Sequence, residues 1–361
     1  MTQARPGRIV SLDILRGFAL FGMILVHFHQ KMEKPATGAE DFVGWFVWMG
    51  LETKAWATFA ILFGAGFAIL MRRIESRGLR VIPVFLRRMA ALAVIGITVQ
   101  LLTGFSILVE YAIWGVVLLF LRHLSTTVLV IVAIASSVAA PIITKAAHVD
   151  TRQYSVHAKP LHDAEQSGSF GEAVKARATF ARWRYSRPMA VVPDSNLVLF
   201  IIGLLAIRLG VFEKPRTRRK VILGMMVFGA VSWVTQWFIV PKLPGSFEWT
   251  GIISDQWLAF TYVGAVILLL EYRPQWKVRL TPFGIAGRMA LTNYVIQAAV
   301  LSVLACGYGF ALTIRPYLEI PASIVLFGSC VVFSAAWLAR HAYGPLERLW
   351  RTATYGGYAV Q

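Results

Sequence analysis

Apolar runs of membrane-spanning length recur along the sequence. They lie near residues 10–28, 55–71, 84–103, 105–121, 124–144, 194–212, 220–240, 254–271, 284–305 and 317–340. Each has the roughly 17–25 residues that a helix needs to cross a bilayer. In hydrocarbon every backbone N–H and C=O must be paired internally, so an apolar run of this length is a helix. The expectation is an all-α polytopic membrane bundle of about ten transmembrane helices, one transmembrane domain over residues 1–361. Composition agrees: only 15% of residues are charged and the mean hydropathy is +0.63, where soluble domains carry about 25% charged residues. The stretch "FVGWFVWMG" at 42–50 is too short to cross. It reads as interfacial or as a prefix to the second run.

The net charge of +18 is unevenly distributed. "RPGR" precedes the first run, and "MRRIESRGLR" with "LRRM" joins the second and third. "EKPRTRRK" joins the sixth and seventh, "EYRPQWKVR" the eighth and ninth, and "RHAYGPLERLWR" follows the tenth. With "RH" between the fourth and fifth, all fall on one side if the N-terminus is cytoplasmic. The opposite connections, such as "PKLPGSFEWTGIISD", are poor in Lys and Arg. The positive-inside rule then puts both termini in the cytoplasm. Residues 145–192 are discordant, with eight Lys/Arg on the outer side. This extracytoplasmic loop contains "FGEAVKARATFARWRYSRP", an amphipathic helix suited to the membrane surface.

The charge sets topology and touches anionic lipid; no nucleic-acid module is present. Cys306 and Cys330 sit in or beside apolar runs, without metal-ligand spacing, and read as inert thiols. No metal site is expected. The "KPATGAE" segment after the first run makes a poor cleavage site, so the first run is read as an uncleaved span.

The first run, "SLDILRGFALFGMILVHFH", carries Asp13, Arg16, His27 and His29. Charges inside a span are costly and commonly pair. Asp13 and Arg16 are three residues apart and can do so. Arg16 and His27 form an R-x10-H pattern; eleven steps of about 100° return to nearly the same face, roughly 16 Å further along. His29 falls on another face. Arg16 is either a structural partner of Asp13 or an anchor for an anionic ligand. His27 is either an interfacial histidine or a general base. Lys54, Glu110 and Gln297 are further polar residues within apolar runs, and "GRMALTNYVIQ" adds Arg288, Asn293 and Tyr294. Asn293 and Gln297 share a helix face, and interhelical hydrogen bonding is their simplest role. Gly64 and Gly66 of "FGAGF" read as helix-packing glycines.

The segments "SLDILRGFALFGMILV", "FAILFGAGFAIL", "LFIIGLLAIRLGVF", "GRMALTNYVIQ" and "YGPLERLWRTATY" together resemble the YeiB-like family of uncharacterised bacterial membrane proteins, domain of unknown function 418. That family is similar in turn to the transmembrane acyltransferases, including the heparan-α-glucosaminide N-acetyltransferases and the sugar O-acyltransferases. The resemblance implies a bacterial inner-membrane enzyme. Acyl-CoA would enter from the cytoplasm, and its acetyl group would pass to a hydroxyl or amine of a sugar-like acceptor. In the sugar O-acyltransferases the R-x10-H histidine is catalytic; the matching residues here are Arg16 and His27. On that mechanism Asn293 and Tyr294 are candidate oxyanion donors. Arg16, Arg72, Arg73, Arg87, Arg88 and Arg288 are candidates for holding the co-substrate. The alternatives are a small-molecule transporter or exporter and a non-catalytic membrane assembly protein. The oligomeric state stays open.

Overall fold

The computed structural model describes residues 9–32, 41–104, 106–146, 151–186, 196–242 and 254–356. Among them the chain is all-helical, with no strand. A helix occupies each of the apolar runs. They are α1 (Val10–Met32), α3 (Glu52–Ser76), α4 (Val81–Thr103), α5 (Leu108–Leu121), α6 (Thr126–Ala146), α9 (Asn196–Arg208), α10 (Arg219–Val234), α11 (Leu258–Tyr272), the pair α13 (Thr281–Arg288) and α14 (Ala290–Ala305), and α15 (Pro316–Leu338). Between them lie α2 (Asp41–Gly50), α7 (Thr151–Ser167), α8 (Phe170–Tyr185) and α12 (Gln275–Arg279); α16 (Pro345–Tyr355) follows α15.

Five of these units are long and apolar enough to cross a bilayer, and a sixth if the bent pair α13–α14 counts as one. These helices mark the chain as an integral membrane protein. Several of the other helices on the apolar runs fall short of that test by length. The 14 residues of α5 and 13 of α9 rise only about 20 Å, against a hydrocarbon core of about 30 Å. The segment at 42–50 is a prefix: Leu51 N donates to Val47 O and Ala55 N to Leu51 O, so α2 runs on into α3.

The interior is built around α1 and α3. α3 packs against α9, and α1 against α3, α13, α14 and α15. Two close approaches set these contacts. A Cβ on Gly64 would lie 2.1 Å from the Phe200 carbonyl oxygen, and one on Gly287 would lie 1.9 Å from that of Asp13. Only glycine lets the helices meet at these distances. Phe18 stacks on Phe283 at 4.1 Å, and Phe21 meets Phe327 at 5.4 Å, extending the same α1–α13–α15 seam.

The ninth run is bent by 87° at Met289, where the backbone leaves helical geometry (φ −115°, ψ 39°). The new helix start is capped from outside. Glu347 of α16 accepts from Leu291 N at 2.7 Å and Thr292 N at 3.1 Å, and from Thr292 Oγ1 at 2.6 Å. A carboxylate here satisfies orphan N–H groups and complements the helix dipole.

The segment between α6 and α9 holds a two-helix hairpin, α7–α8. A capping box starts α8: Ser169 accepts from Glu172 N, and the Glu172 carboxylate accepts from Ser169 N. That hydrogen bonding holds the exposed Glu172 carboxyl below the usual range. Ala173, Arg177 and Phe180 form the buried stripe of α8. Arg177 is fully buried. Its Nε donates to Glu165 at 2.9 Å, and its other nitrogens to the Leu102 carbonyl at 2.8 Å and the Tyr308 hydroxyl at 3.1 Å. Lys31 adds a second contact to Glu165 at 2.9 Å. The hairpin is thereby pinned to the C-terminal end of α1.

Candidate functional site

At the N-terminal end of α1 the helices enclose a cavity of about 800 Å³. Its walls come from α1, α3, α4, α5, α13, α14 and α16. Ile9, Leu12, Asp13 and Arg16 line it from the first helix and the residue before it, and Phe59, Leu62, Phe63, Phe67 and Leu70 from α3. Phe85, Met89 and Leu92 of α4, and Leu108 and Tyr111 of α5, continue the apolar wall. Arg72, Arg73 and Ser76 are exposed residues at the C-terminal end of α3 that also line it. The cavity therefore has a basic end facing solvent and an apolar interior.

Arginines dominate the charge. Arg16, Arg72, Arg73, Arg88, Arg288 and Arg351 line the cavity, against Asp13, Glu213 and Glu347. The three acids are engaged. Asp13 Oδ1 pairs with Arg16 Nη1 at 3.2 Å, Glu213 Oε1 with Arg72 Nη1 at 2.9 Å, and Glu347 caps α14. Arg88 and Arg351 lie on aromatic rings. Arg88 Cζ is 3.5 Å from the Trp350 ring centroid, and Trp350 Nε1 donates to the Arg88 carbonyl at 2.8 Å. Arg351 lies 4.8 Å from the Tyr343 ring and 5.3 Å from that of Tyr355. Cation–π contact fixes a guanidinium without neutralising it. Both retain charge for an anion.

Tyr294 projects from α14 into this space and is buried. Its oxygen accepts the Ile107 N–H at 3.3 Å, so the phenolic proton remains to donate to a second group.

The residues singled out from the sequence fall into three places. Arg16, Arg72, Arg73, Arg88, Arg288 and Tyr294 line the cavity, with Asp13 beside Arg16. Asn293 and Gln297 are buried in α14 outside that lining. Asn293 Nδ2 donates to the Ala286 carbonyl and to Ser334 Oγ, both at 2.9 Å, tying α14 to α13 and α15. The remaining residues lie elsewhere. Arg87 is exposed on α4. His27 is buried toward the C-terminal end of α1, beyond the cavity. Lys54 is fully buried and pairs with Asp255 at 2.7 Å. Glu110 accepts from Tyr185 at 2.8 Å and pairs with Arg184 at 3.2 Å. His29, set aside from the sequence, faces Glu319 at 3.3 Å. No cluster of three His, Cys, Asp or Glu capable of holding a metal occurs among the described residues.

Sequence reasoning missed Tyr343 and the α16 contribution of Glu347, Trp350, Arg351 and Tyr355. A signal was present in "YGPLERLWRTATY", where Glu347, Arg351 and Tyr355 recur every four residues and so share one helical face.

Fold and site define a helical membrane protein with a basic, apolar-walled cavity at one end. Residues 8–159 match the family model described as "Heparan-alpha-glucosaminide N-acetyltransferase, catalytic". Residues 206–357 match "Protein of unknown function (DUF418)". The uncharacterized protein YxaH of Bacillus subtilis (strain 168) is 28% identical, over 96% of this chain and 94% of its own length. An uncharacterized 39.9 kDa protein in the amylase 3′ region of Bacillus acidopullulyticus is also 28% identical, with the same coverage. The uncharacterized protein YeiB of Escherichia coli (strain K12) is 23% identical over 96% of each chain. The resemblance to the YeiB-like proteins thus runs through nearly the whole chain. The cavity draws on both matched regions: Arg16, Arg73 and Arg88 come from the first, and Arg288, Tyr294 and Arg351 from the second.

Proposed function

We propose that the protein is a membrane acyltransferase of the bacterial inner membrane, with ten spans and both termini cytoplasmic. It would move an acetyl or similar acyl group from cytoplasmic acyl-CoA to a hydroxyl or amine of a sugar-like acceptor. One observation carries this reading: the cavity combines an arginine-rich, solvent-facing end with an apolar interior that reaches Tyr294. That division suits an amphiphile with a polyanionic head and a long, weakly polar arm. Arg72, Arg73, Arg88 and Arg351 would hold the phosphates, since guanidinium groups match phosphate oxygens in charge and geometry. Arg288 would extend that grip, and Arg16, deeper and already paired with Asp13, would face the arm. The match of residues 8–159 to an N-acetyltransferase catalytic region supports the same chemistry.

In this mechanism the acceptor comes from the opposite side. His27 takes its proton, and the freed oxygen or nitrogen attacks the thioester carbonyl. The new C–O or C–N bond forms, the C–S bond breaks, and the thiolate leaves as CoA. Tyr294 O–H stabilises the oxyanion. The reaction centre would then lie between Tyr294 and His27.

The test is thiol release from acetyl-CoA by purified protein in nanodiscs, with glucosamine as probe acceptor. Loss of a general base typically costs 10²–10⁴-fold. The His27→Ala variant is therefore expected to fall by at least about 10²-fold with an unchanged melting temperature. Full activity in that variant removes His27 from the mechanism. Flux of a solute without thiol release would favour a transporter instead.

A further inference from the structure

Gln297 is fully buried in α14. Among the described residues neither its Oε1 nor its Nε2 has a hydrogen-bond partner. An unsatisfied carboxamide in such a place is expensive, because burial removes water without supplying a replacement. Its neighbour Asn293, one turn earlier, spends its amide on Ala286 and Ser334. Gln297 does no such structural work.

The helix register says what it faces. Ala290 and Tyr294 line the cavity. At about 100° per residue Gln297 lies some 60° round the helix from Tyr294 and some 40° from Asn293, so it faces between the cavity side and the α15 side. Gln297 is therefore the polar group just behind Tyr294, about one turn deeper and outside the cavity lining. The antiparallel packing of α1 and α15, fixed by Phe21 on Phe327 and His29 on Glu319, and the tie between Asn293 and Ser334 put its level between Arg16 and His27.

We propose that Gln297 is a catalytic residue, its Nε2–H donating with Tyr294 O–H to the carbonyl oxygen of a bound acyl thioester. This rests on the acyltransferase reading. Tyr294 in the cavity wall and Gln297 one turn behind it would together form the pocket for the oxyanion of the tetrahedral intermediate once the acyl arm reaches past Tyr294. The balance is that of acyl transfer. The acceptor loses a proton to the base, its heteroatom bonds to the carbonyl carbon, the C–S bond breaks, and the thiolate is protonated. Gln297 exchanges no proton; it holds the oxygen.

The experiment pairs two readouts on wild type, Gln297→Leu and Gln297→Glu. The first is the carbonyl ¹³C resonance of acetyl-CoA labelled at that carbon, bound to protein in nanodiscs. The second is thiol release with glucosamine as probe acceptor. Wild type is expected to move the bound carbonyl resonance downfield, and Gln297→Leu to abolish that displacement without weakening binding. Its kcat is expected to fall about 10²–10³-fold, the typical cost of removing one oxyanion donor, with KM unchanged. The melting temperature of Gln297→Leu is expected to hold or rise, since the change removes an unsatisfied amide. Gln297→Glu, whose carboxyl stays protonated at so dry a site and can still donate its O–H, is expected to keep more activity than Gln297→Leu. An unchanged resonance and kcat in Gln297→Leu would overturn the proposal while leaving the acyltransferase reading intact. A marked fall in melting temperature with kcat retained would make Gln297 structural and overturn it likewise. Failure of wild type to bind acetyl-CoA would overturn the underlying reading, and this inference with it.

Discussion

Asn293 and Gln297 stand four residues apart on one helix and have opposite surroundings. Sequence pattern cannot separate two amides at that spacing, because both satisfy the same periodicity. The difference lies in tertiary neighbours: Ser334 and the Ala286 carbonyl meet Asn293, and nothing comparable among the described residues meets Gln297. Asn293→Ala is therefore expected to destabilise the protein by about 1–3 kcal/mol, the cost of orphaning buried partners. The readout is thermal unfolding in detergent, where a melting temperature equal to wild type would contradict the account. The positions of Arg16, Arg72, Arg73, Arg88 and Arg288 beside one cavity were within reach of the sequence, since basic residues at the ends of neighbouring spans gather on one face of a bundle. The exclusion of Arg87 was not: Arg87 and Arg88 are adjacent, and only helix rotation decides which one points inward.

At the scale of elements, every long apolar run holds a helix, while α7, α8, α12 and α16 form outside those runs. The break at Met289 is invisible to hydropathy, which averages across it. A contact distant in sequence, the Glu347 carboxylate on the start of α14, satisfies the N–H groups that the break exposes. Glu347→Ala is expected to leave those N–H groups unsatisfied, at a cost of about 1–2 kcal/mol typical of a lost cap. Hydrogen exchange in the first turn of α14 should then accelerate; unchanged exchange would show that the cap is dispensable. The hairpin α7–α8 makes a pH prediction. Burial pushes the Glu165 carboxyl up, but Lys31 and Arg177 outweigh it and hold it below the usual carboxylate range. A depressed folded pKa gives stability that is full above the unfolded value of about 4.3 and is lost as pH falls through the lower, folded value. Exchange protection in α8 is thus expected to persist through mildly acidic pH and collapse only below about pH 4. In Glu165→Gln it should already be weak at neutral pH. Equal protection in both proteins would remove Glu165 from the pinning of the hairpin.

For the whole molecule, one chemical division organises the structure: a basic cavity at the N-terminal end of α1, and paired charges such as Lys54–Asp255 and Arg177–Glu165 away from it. The asymmetry of Lys and Arg among the connections carries part of this in the sequence. The C-terminal α16, which closes the cavity with Trp350 and Arg351, requires the fold. The central claim is that this cavity takes acyl-CoA arm first, its phosphates held on the arginines at the mouth. Calorimetric titration of acetyl-CoA into protein in nanodiscs tests it most directly. Saturable binding to wild type is expected, with affinity weakened about tenfold or more in Arg73→Ala and Arg351→Ala, as each lost phosphate contact costs on the order of 1.5–3 kcal/mol. Binding should also weaken steeply as salt is raised from low to physiological strength. No binding by the wild type, or affinity unchanged by both substitutions, would contradict the account.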